Sequence, residues 1–267
     1  MTNEWWQNYF GLQYILGDNS MAFEFTNLEE RVKHEVDEIV KYGKVKESQK
    51  ILDVPCSYGK HAIELARRVN CEIYGIDINN FEIDVAIYRA NQSLDVYEKP
   101  VKLKTKPKFM TADIRNFSAI LNDFDLIYNW FWSFGYFDHE ENLKVLKEFY
   151  FALKEGGILL IHTIPKENIR DYLLDHTREI LPTKIMGKQY PEGVLNFTKV
   201  FNKEKGIMHT TWIVMLKDGI VLPNPPVVST VIIYSTQEYV EMLKQIGFKD
   251  IEVYNSYFPF KILKAKK

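Results

Sequence analysis

The sequence predicts a doubly wound α/β protein whose mostly parallel sheet carries an antiparallel β insertion. Short apolar runs alternate with helical patterns from residue 50 to residue 161, and three of the runs end on an acid. From residue 183 to residue 234 the pattern changes to branched and aromatic residues broken by turn signals.

Residues 1–27 are crowded with rings, including Trp5, Trp6, Tyr9, Phe10, Tyr14, Phe23 and Phe25, and are broken by Gly11, Gly17 and Asp18-Asn19-Ser20. This segment reads either as an arm packed on the core or as a flap over a ligand. Leu28, Val32, Val36, Ile39 and Val40 recur at helical spacing, and Gly43 marks the end of that helix. Residues 50–54 form the first strand. Gly59 sits in the turn that follows, and Ala62, Ile63, Leu65 and Ala66 give the next helix its apolar side.

Residues 72–77 are the second strand, with Asp77 at its end, and residues 81–90 are helical. Residues 109–112 and 124–129 are the third and fourth strands, the third ending at Asp113. Asp138-His139-Glu140-Glu141 reads as a capping box for the next helix. Gly156-Gly157 stops that helix, and residues 158–161 are the fifth strand. Residues 194–201 and 207–216 pair through a loop at 202–206, and residues 227–234 add a further strand. Ser235-Thr236-Gln237-Glu238 caps a helix that Gly247 ends, and strands near 249–253 and 261–263 close the sheet. The domains are therefore an arm at 1–27, an α/β core at 28–182, an insertion at 183–234 and a closing helix and strands at 235–267.

With 267 residues, 46% hydrophobic and 26% charged, the chain can bury a full core. A net charge of −2 argues against a broad nucleic-acid surface. Five lysines between Lys99 and Lys108 read as a solvated loop or edge, since no aromatic interleaving supports a polyanion contact. Cys56 and Cys71 make no disulfide framework, and with no signal-peptide pattern a cytoplasmic location is expected. No apolar run is long enough to span a membrane, so no membrane partner is expected. The histidines and cysteines show no metal-ligand spacing.

The turn after the first strand can hold an anion or a polar cofactor on converging backbone N–H groups. It reads Asp53-Val54-Pro55-Cys56-Ser57-Tyr58-Gly59, so only Gly59 matches a dinucleotide glycine. Asp53 suits an amine-bearing cofactor, and Asp77 can accept both ribose hydroxyls. Asp113 or its backbone can meet an adenine amine.

On these residues the chain resembles the class I, Rossmann-like S-adenosylmethionine-dependent methyltransferases with a seven-stranded sheet. Within them it is similar to a small-molecule-type group whose first motif reads Asp-Val-Pro-Cys-Gly-x-Gly-Arg-His. Lys60 and His61 continue the motif here, Ser57 stands at the first glycine, and Ser133-Phe134-Gly135-Tyr136-Phe137 resembles that group's run after strand four. The resemblance implies S-adenosyl-L-methionine as cofactor. It implies that Asp53, Pro55, Cys56, Ser57, Gly59 and His61 form the methionyl cradle, with His61 also open to a structural hydrogen bond. Asp77 and Ile78 would meet the ribose and adenine, and Asp113 and Ile114 the adenine's other side. Asn129 and Trp130 would lie near the sulfonium and the acceptor.

His162, at the end of strand five, is the best candidate base; its plain reading is a satisfied histidine between strand and loop. Asn129 and Tyr14 complete the catalytic expectation. The rings from Trp130 to Phe137 serve the core, the acceptor pocket, or both. The leading expectation is methyl transfer to N or O of a small molecule. An RNA or protein methyltransferase and a non-catalytic S-adenosylmethionine-binding protein are the alternatives. The insertion can serve as a lid or as a homodimer surface.

Overall fold

The structure, a computed structural model, describes residues 4–169 and 173–267; residues 1–3 of the predicted arm and residues 170–172 of the predicted core lie outside it. The arm forms two short helices, α1 (Trp6–Tyr9) and α2 (Leu12–Asp18), before α3 (Leu28–Gly43). The α/β core then runs β1 (Lys50–Asp53), α4 (Lys60–Arg68), β2 (Glu72–Asp77), α5 (Asn80–Gln92), β3 (Lys108–Thr111), β4 (Phe124–Asn129), α6 (His139–Ala152) and β5 (Leu153–Thr163). Next come β6 (Leu173–Ile180), β7 (Thr183–Ile185), β8 (Lys188–Tyr190), β9 (Gly193–Asn202), β10 (Ile207–Leu216), β11 (Val221–Leu222) and β12 (Val228–Ile232). The chain closes with α7 (Thr236–Ile246), β13 (Lys249–Asn255) and β14 (Lys261–Lys266).

The main sheet has seven strands in the order β13-β14-β5-β4-β1-β2-β3. The pairs among β1 to β5 are parallel, whereas β14 runs antiparallel to β5 and to β13. Period-two alternation divides its strands between two cores. Leu52, Val54, Ile127, Leu159 and Ile161 pack with Val145, Leu146 and Phe149 of α6 and Met242 and Leu243 of α7. Ile51, Ile73, Leu126, Tyr128 and Leu160 pack on the other face with α3 and α4. Strand order reverses at β1, since β2 and β4 flank it, and this makes a crevice at the strands' carboxyl ends.

Side-chain caps fix the helix starts. Asn27, Asn79 and Asp138 accept backbone N–H groups at the starts of α3, α5 and α6, and Ser235 and Glu238 make a reciprocal capping box on α7. For Asp138 only the forward bond, from the Glu141 amide, is present.

The antiparallel sheet, β11-β10-β9-β6 with β12 also on β10, begins at Leu173, ahead of the predicted boundary at 183. Its inner face packs against α1 and α2 rather than against the main sheet's own faces. Gly17 is the contact point: a Cβ there would lie 2.3 Å from the Trp212 ring of β10. Lys99, Lys102, Lys104, Lys106 and Lys108 are all exposed, and Lys108 pairs with Glu72 at 2.9 Å on the edge strand β3. Among the described residues, no helix is long and apolar enough to cross a membrane.

Candidate active site

Two adjoining cavities lie above the crevice and share the rings of Phe10, Tyr14 and Tyr136. The first, about 580 Å³, is floored by residues at or just beyond the carboxyl ends of β1, β2 and β3: Pro55 and Ser57, Asp77 and Ile78, Asp113 and Ile114. Trp6, Phe10 and Tyr14 of the arm roof it.

The turn takes its shape from local contacts. The Cys56 amide donates to the Ile76 carbonyl (2.8 Å), and the Gly59 amide donates to the Cys56 carbonyl (3.0 Å). Gly59 has φ +78°, and a Cβ there would lie 2.8 Å from Phe109 and 2.9 Å from Ala86. Ser57 has φ +50°, the left-handed region in which glycine is favoured. Its amide donates to Asp77 Oδ2 (2.8 Å) and its hydroxyl to Glu82.

Asp77 Oδ1 accepts the Asn79 amide at 2.9 Å, so each carboxylate oxygen has one backbone donor. A carboxylate offers about four acceptor positions, so Asp77 can take further donors from the cavity. Glu82 Oε1 accepts the Gly11 amide at 2.6 Å, which ties the arm to α5. Burial raises the pKa of both acids, and the Asp77 charge raises Glu82 further. Asp113 is occupied differently. Arg115 grips its carboxylate (2.7 Å), reaches Glu141 (2.8 Å) and lies over the Phe137 ring at 4.6 Å. Burial opposes the Asp113 charge, but the Arg115 bonds prevail and hold its pKa below the usual carboxylate value.

Other predicted residues surround the cavity without lining it. Asp53 is fully enclosed beneath the turn, and burial pushes its carboxyl well above the ordinary value. Cys56 is buried, with its thiol likewise pushed up. His61 Nε2 meets Glu35 at 2.7 Å behind the turn. Asn129 Nδ2 donates to the carbonyls of Val54 (2.9 Å) and Ser133 (3.0 Å), tying the ends of β1 and β4 together. Trp130 is buried and stacks on His162.

His162 is fully buried between Trp130 (4.6 Å) and Phe260 (4.4 Å). Its Nδ1 accepts the Phe131 amide (3.2 Å), so the proton sits on Nε2, 3.3 Å from Ser256 Oγ. Its carbonyl accepts the Trp132 amide at 2.9 Å. Burial lowers the His162 pKa to about 3. The ring lines neither cavity and has no free acceptor nitrogen, so it does not occupy the position of a base. It holds Phe131 and Trp132, which both have φ near +60° (57° and 59°). Burial raises the Tyr14 phenol well above its ordinary value, so it stays protonated and can donate.

The second cavity, about 720 Å³, lies between the arm, the loop after β4 and the inner face of the antiparallel sheet. Trp132, Trp212, Met208 and Phe260 line it, and Lys199 is its one charged side chain among the described residues. At the C-terminal end of α2, Asp18 accepts from Arg31 (2.7 Å), Lys60 (2.5 Å) and Tyr58, which anchors the arm to α3 and α4.

Sequence reasoning did not single out Glu82, Lys199 or the Asp18 cluster. Glu82 is three residues after the capping Asn79, which gives it a plain capping-region reading. Lys199 occupies an inward position in an alternating strand, and that was a usable signal.

Residues 51–157 match the family model described as "Methyltransferase domain". A sterol 24-C-methyltransferase of Debaryomyces hansenii is 30% identical over 119 residues, covering 44% of this chain and 28% of that relative. The chain thus spans under a third of that relative's length. Among solved structures, an S-adenosylmethionine-dependent methyltransferase from Clostridium acetobutylicum is similar with a TM-score of 0.67, at 15% identity and over 88% of this chain and 89% of that one. CalS10, an amino pentose methyltransferase from Micromonospora echinaspora, is similar with a TM-score of 0.62, at 14% identity and over 90% and 91%. Sheet order, crevice and these likenesses agree on the fold: the chain has the architecture of the class I, S-adenosylmethionine-dependent methyltransferases, and its residues 51–157 match the methyltransferase domain model.

Proposed function

We propose that this protein is an S-adenosylmethionine-dependent methyltransferase acting on N or O of a small molecule held in the second cavity. The observation that carries the reading is the meeting of the two cavities at Phe10, Tyr14 and Tyr136. One has an acid with spare acceptor capacity at the end of β2; the other is walled mainly by rings and mostly apolar.

The first cavity's residues fit the cofactor. Asp77 would take the ribose hydroxyls, Ile78 and Ile114 would flank the adenine, and Pro55 and Ser57 would border the methionyl part. Arg115 keeps the Asp113 carboxylate engaged, so the backbone beside it is the freer partner for the adenine amine. When bound, S-adenosylmethionine supplies an electrophilic methyl group. The chain's task is then to align the acceptor and exclude water, and the aromatic roof does both. Tyr14 would orient the acceptor as a hydrogen-bond donor. With His162 in the core, the site suits an acceptor atom that is already nucleophilic when neutral, such as an amine. The concave second cavity, walled mainly by rings, supports a small molecule over an RNA or a protein chain. The lysines at 99–108 lie in the loop before β3 and at its first residue, and line neither cavity.

Calorimetry with S-adenosylmethionine tests the cofactor half of the reading, and saturable binding is expected. Methyl release from labelled cofactor over a panel of amines and phenols tests the acceptor half. A folded sample that does not bind the cofactor overturns the proposal.

A further inference from the structure

The second cavity contains a lysine where its strand calls for an apolar residue. Along β9, Leu195, Phe197 and Phe201 are buried and share one face, and Lys199 falls between the last two on that face. Its Nζ lies 4.9 Å from the centre of the Trp132 ring and 5.6 Å from that of Phe197. Among the described residues no carboxylate lies within ion-pair distance of it, and the one charge acting on it is the like-signed Arg178. Burial lowers its pKa to about 8, so the ammonium is still mostly charged at neutral pH. Lys199 is partly buried, and a lysine held among rings is ordinarily paired, because an unpaired charge in apolar surroundings is costly. Thr210 is its cross-strand partner on β10 and lines the same cavity. An ammonium and a hydroxyl therefore stand side by side in a wall otherwise made mainly of rings.

We propose that Lys199 and Thr210 receive an anionic group, a carboxylate or similar oxyanion, on an otherwise apolar or aromatic acceptor. The proposal rests on the second cavity being the acceptor site and adds the acceptor's class. The cavity's rings alone would suit a cation. Lys199 already lies over Trp132, and a second cation would meet its repulsion with no acid among the described residues of the cavity wall to offset it. An amphipathic acid meets both the ammonium and the apolar walls, with its nucleophilic atom directed toward Tyr14 and the first cavity.

The test uses two dyes of nearly the same ring system: 8-anilino-1-naphthalenesulfonate, which is anionic, and N-phenyl-1-naphthylamine, which is neutral. Each is titrated into the full chain and into K199M and K199R, with emission and quenching of Trp132 and Trp212 as readouts. A charge-assisted bond of this kind predicts about a ten-fold to hundred-fold loss of affinity for the sulfonate in K199M. The neutral dye should bind K199M as it binds the parent, and K199R should keep most of the preference. Sulfonate affinity unchanged in a folded K199M overturns the proposal. If K199M does not fold, 3-phenylpropionate against 3-phenylpropionamide on the parent decides, and equal affinity overturns it. Calorimetry with S-adenosylmethionine on the same samples separates the two readings. Cofactor binding without a dye preference removes only the acid anchor; a dye preference without cofactor binding removes only the methyltransferase reading.

Discussion

At Asp77 two backbone amides hold a carboxylate whose remaining acceptor capacity faces the first cavity. D77N keeps the shape and loses the charge, so S-adenosylmethionine affinity should fall about ten-fold or more by calorimetry. Unchanged affinity would move the ribose site elsewhere. Glu82 beside it makes a prediction about stability. Its folded pKa lies above the unfolded value, so the fold binds more protons than the unfolded chain between the two values. Its favourable contribution is complete below the ordinary carboxyl range and is lost as pH rises through the raised folded value. The urea midpoint should therefore fall between about pH 5 and about pH 9, and E82Q should flatten that fall while keeping the Gly11 bond. His162 has the opposite sign, since burial lowers a base. The unfolded chain binds more protons from about 6.5 down to the folded value of about 3, so stability drops as pH falls through that window. Seven of the predicted site residues (Pro55, Ser57, Asp77, Ile78, Asp113, Ile114 and Tyr14) line the first cavity. His162 shows why others do not. Its strand position was readable, but Ile161 faces one core, so the next side chain faces the other, and that direction is set by pairing rather than by local sequence.

Among the elements, the strand-turn-helix at β1 and α4 depends on Gly59. A methyl group there meets both a left-handed φ, worth about 1 kcal/mol, and contacts under 3 Å with Phe109 and Ala86. G59A should cost about 2–4 kcal/mol in denaturant unfolding, the sum of backbone strain and overpacking. A loss under about 1 kcal/mol would mean the turn can relax. Elements with strong periodicity, such as α3, β4 and α7, were legible because burial and propensity agree in them. β6 was not. Its Leu173-Leu174-Asp175-His176-Thr177-Arg178-Glu179-Ile180 run is mostly polar, and the strand forms because β9 offers it a ladder. β7 and β8 were missed for a related reason: each has three residues, and the turn between them is held by Glu98, which accepts the amides of Met186 and Gly187.

Across the whole molecule, the arm adds a second link between the α/β core and the antiparallel sheet, which also meet directly where the Ile232 amide donates to the Gly135 carbonyl (2.8 Å). Gly11 binds Glu82 on α5, Gly17 packs on Trp212 of β10, and Asp18 closes a buried cluster with Arg31 and Lys60. The same arm roofs the first cavity and lines the second. A ligand in the first cavity is therefore expected to steady the arm and, through it, the contact with the antiparallel sheet. At about 100 times its dissociation constant, S-adenosylmethionine adds about 2.7 kcal/mol. For a chain of this size that raises the melting midpoint by roughly 5–10 °C. If the arm carries the effect, amide exchange in α2 should slow on cofactor addition along with that of the β1 turn. Slowing confined to the turn, with α2 unchanged, would show that the arm is a fixed wall whose stability does not depend on what it covers.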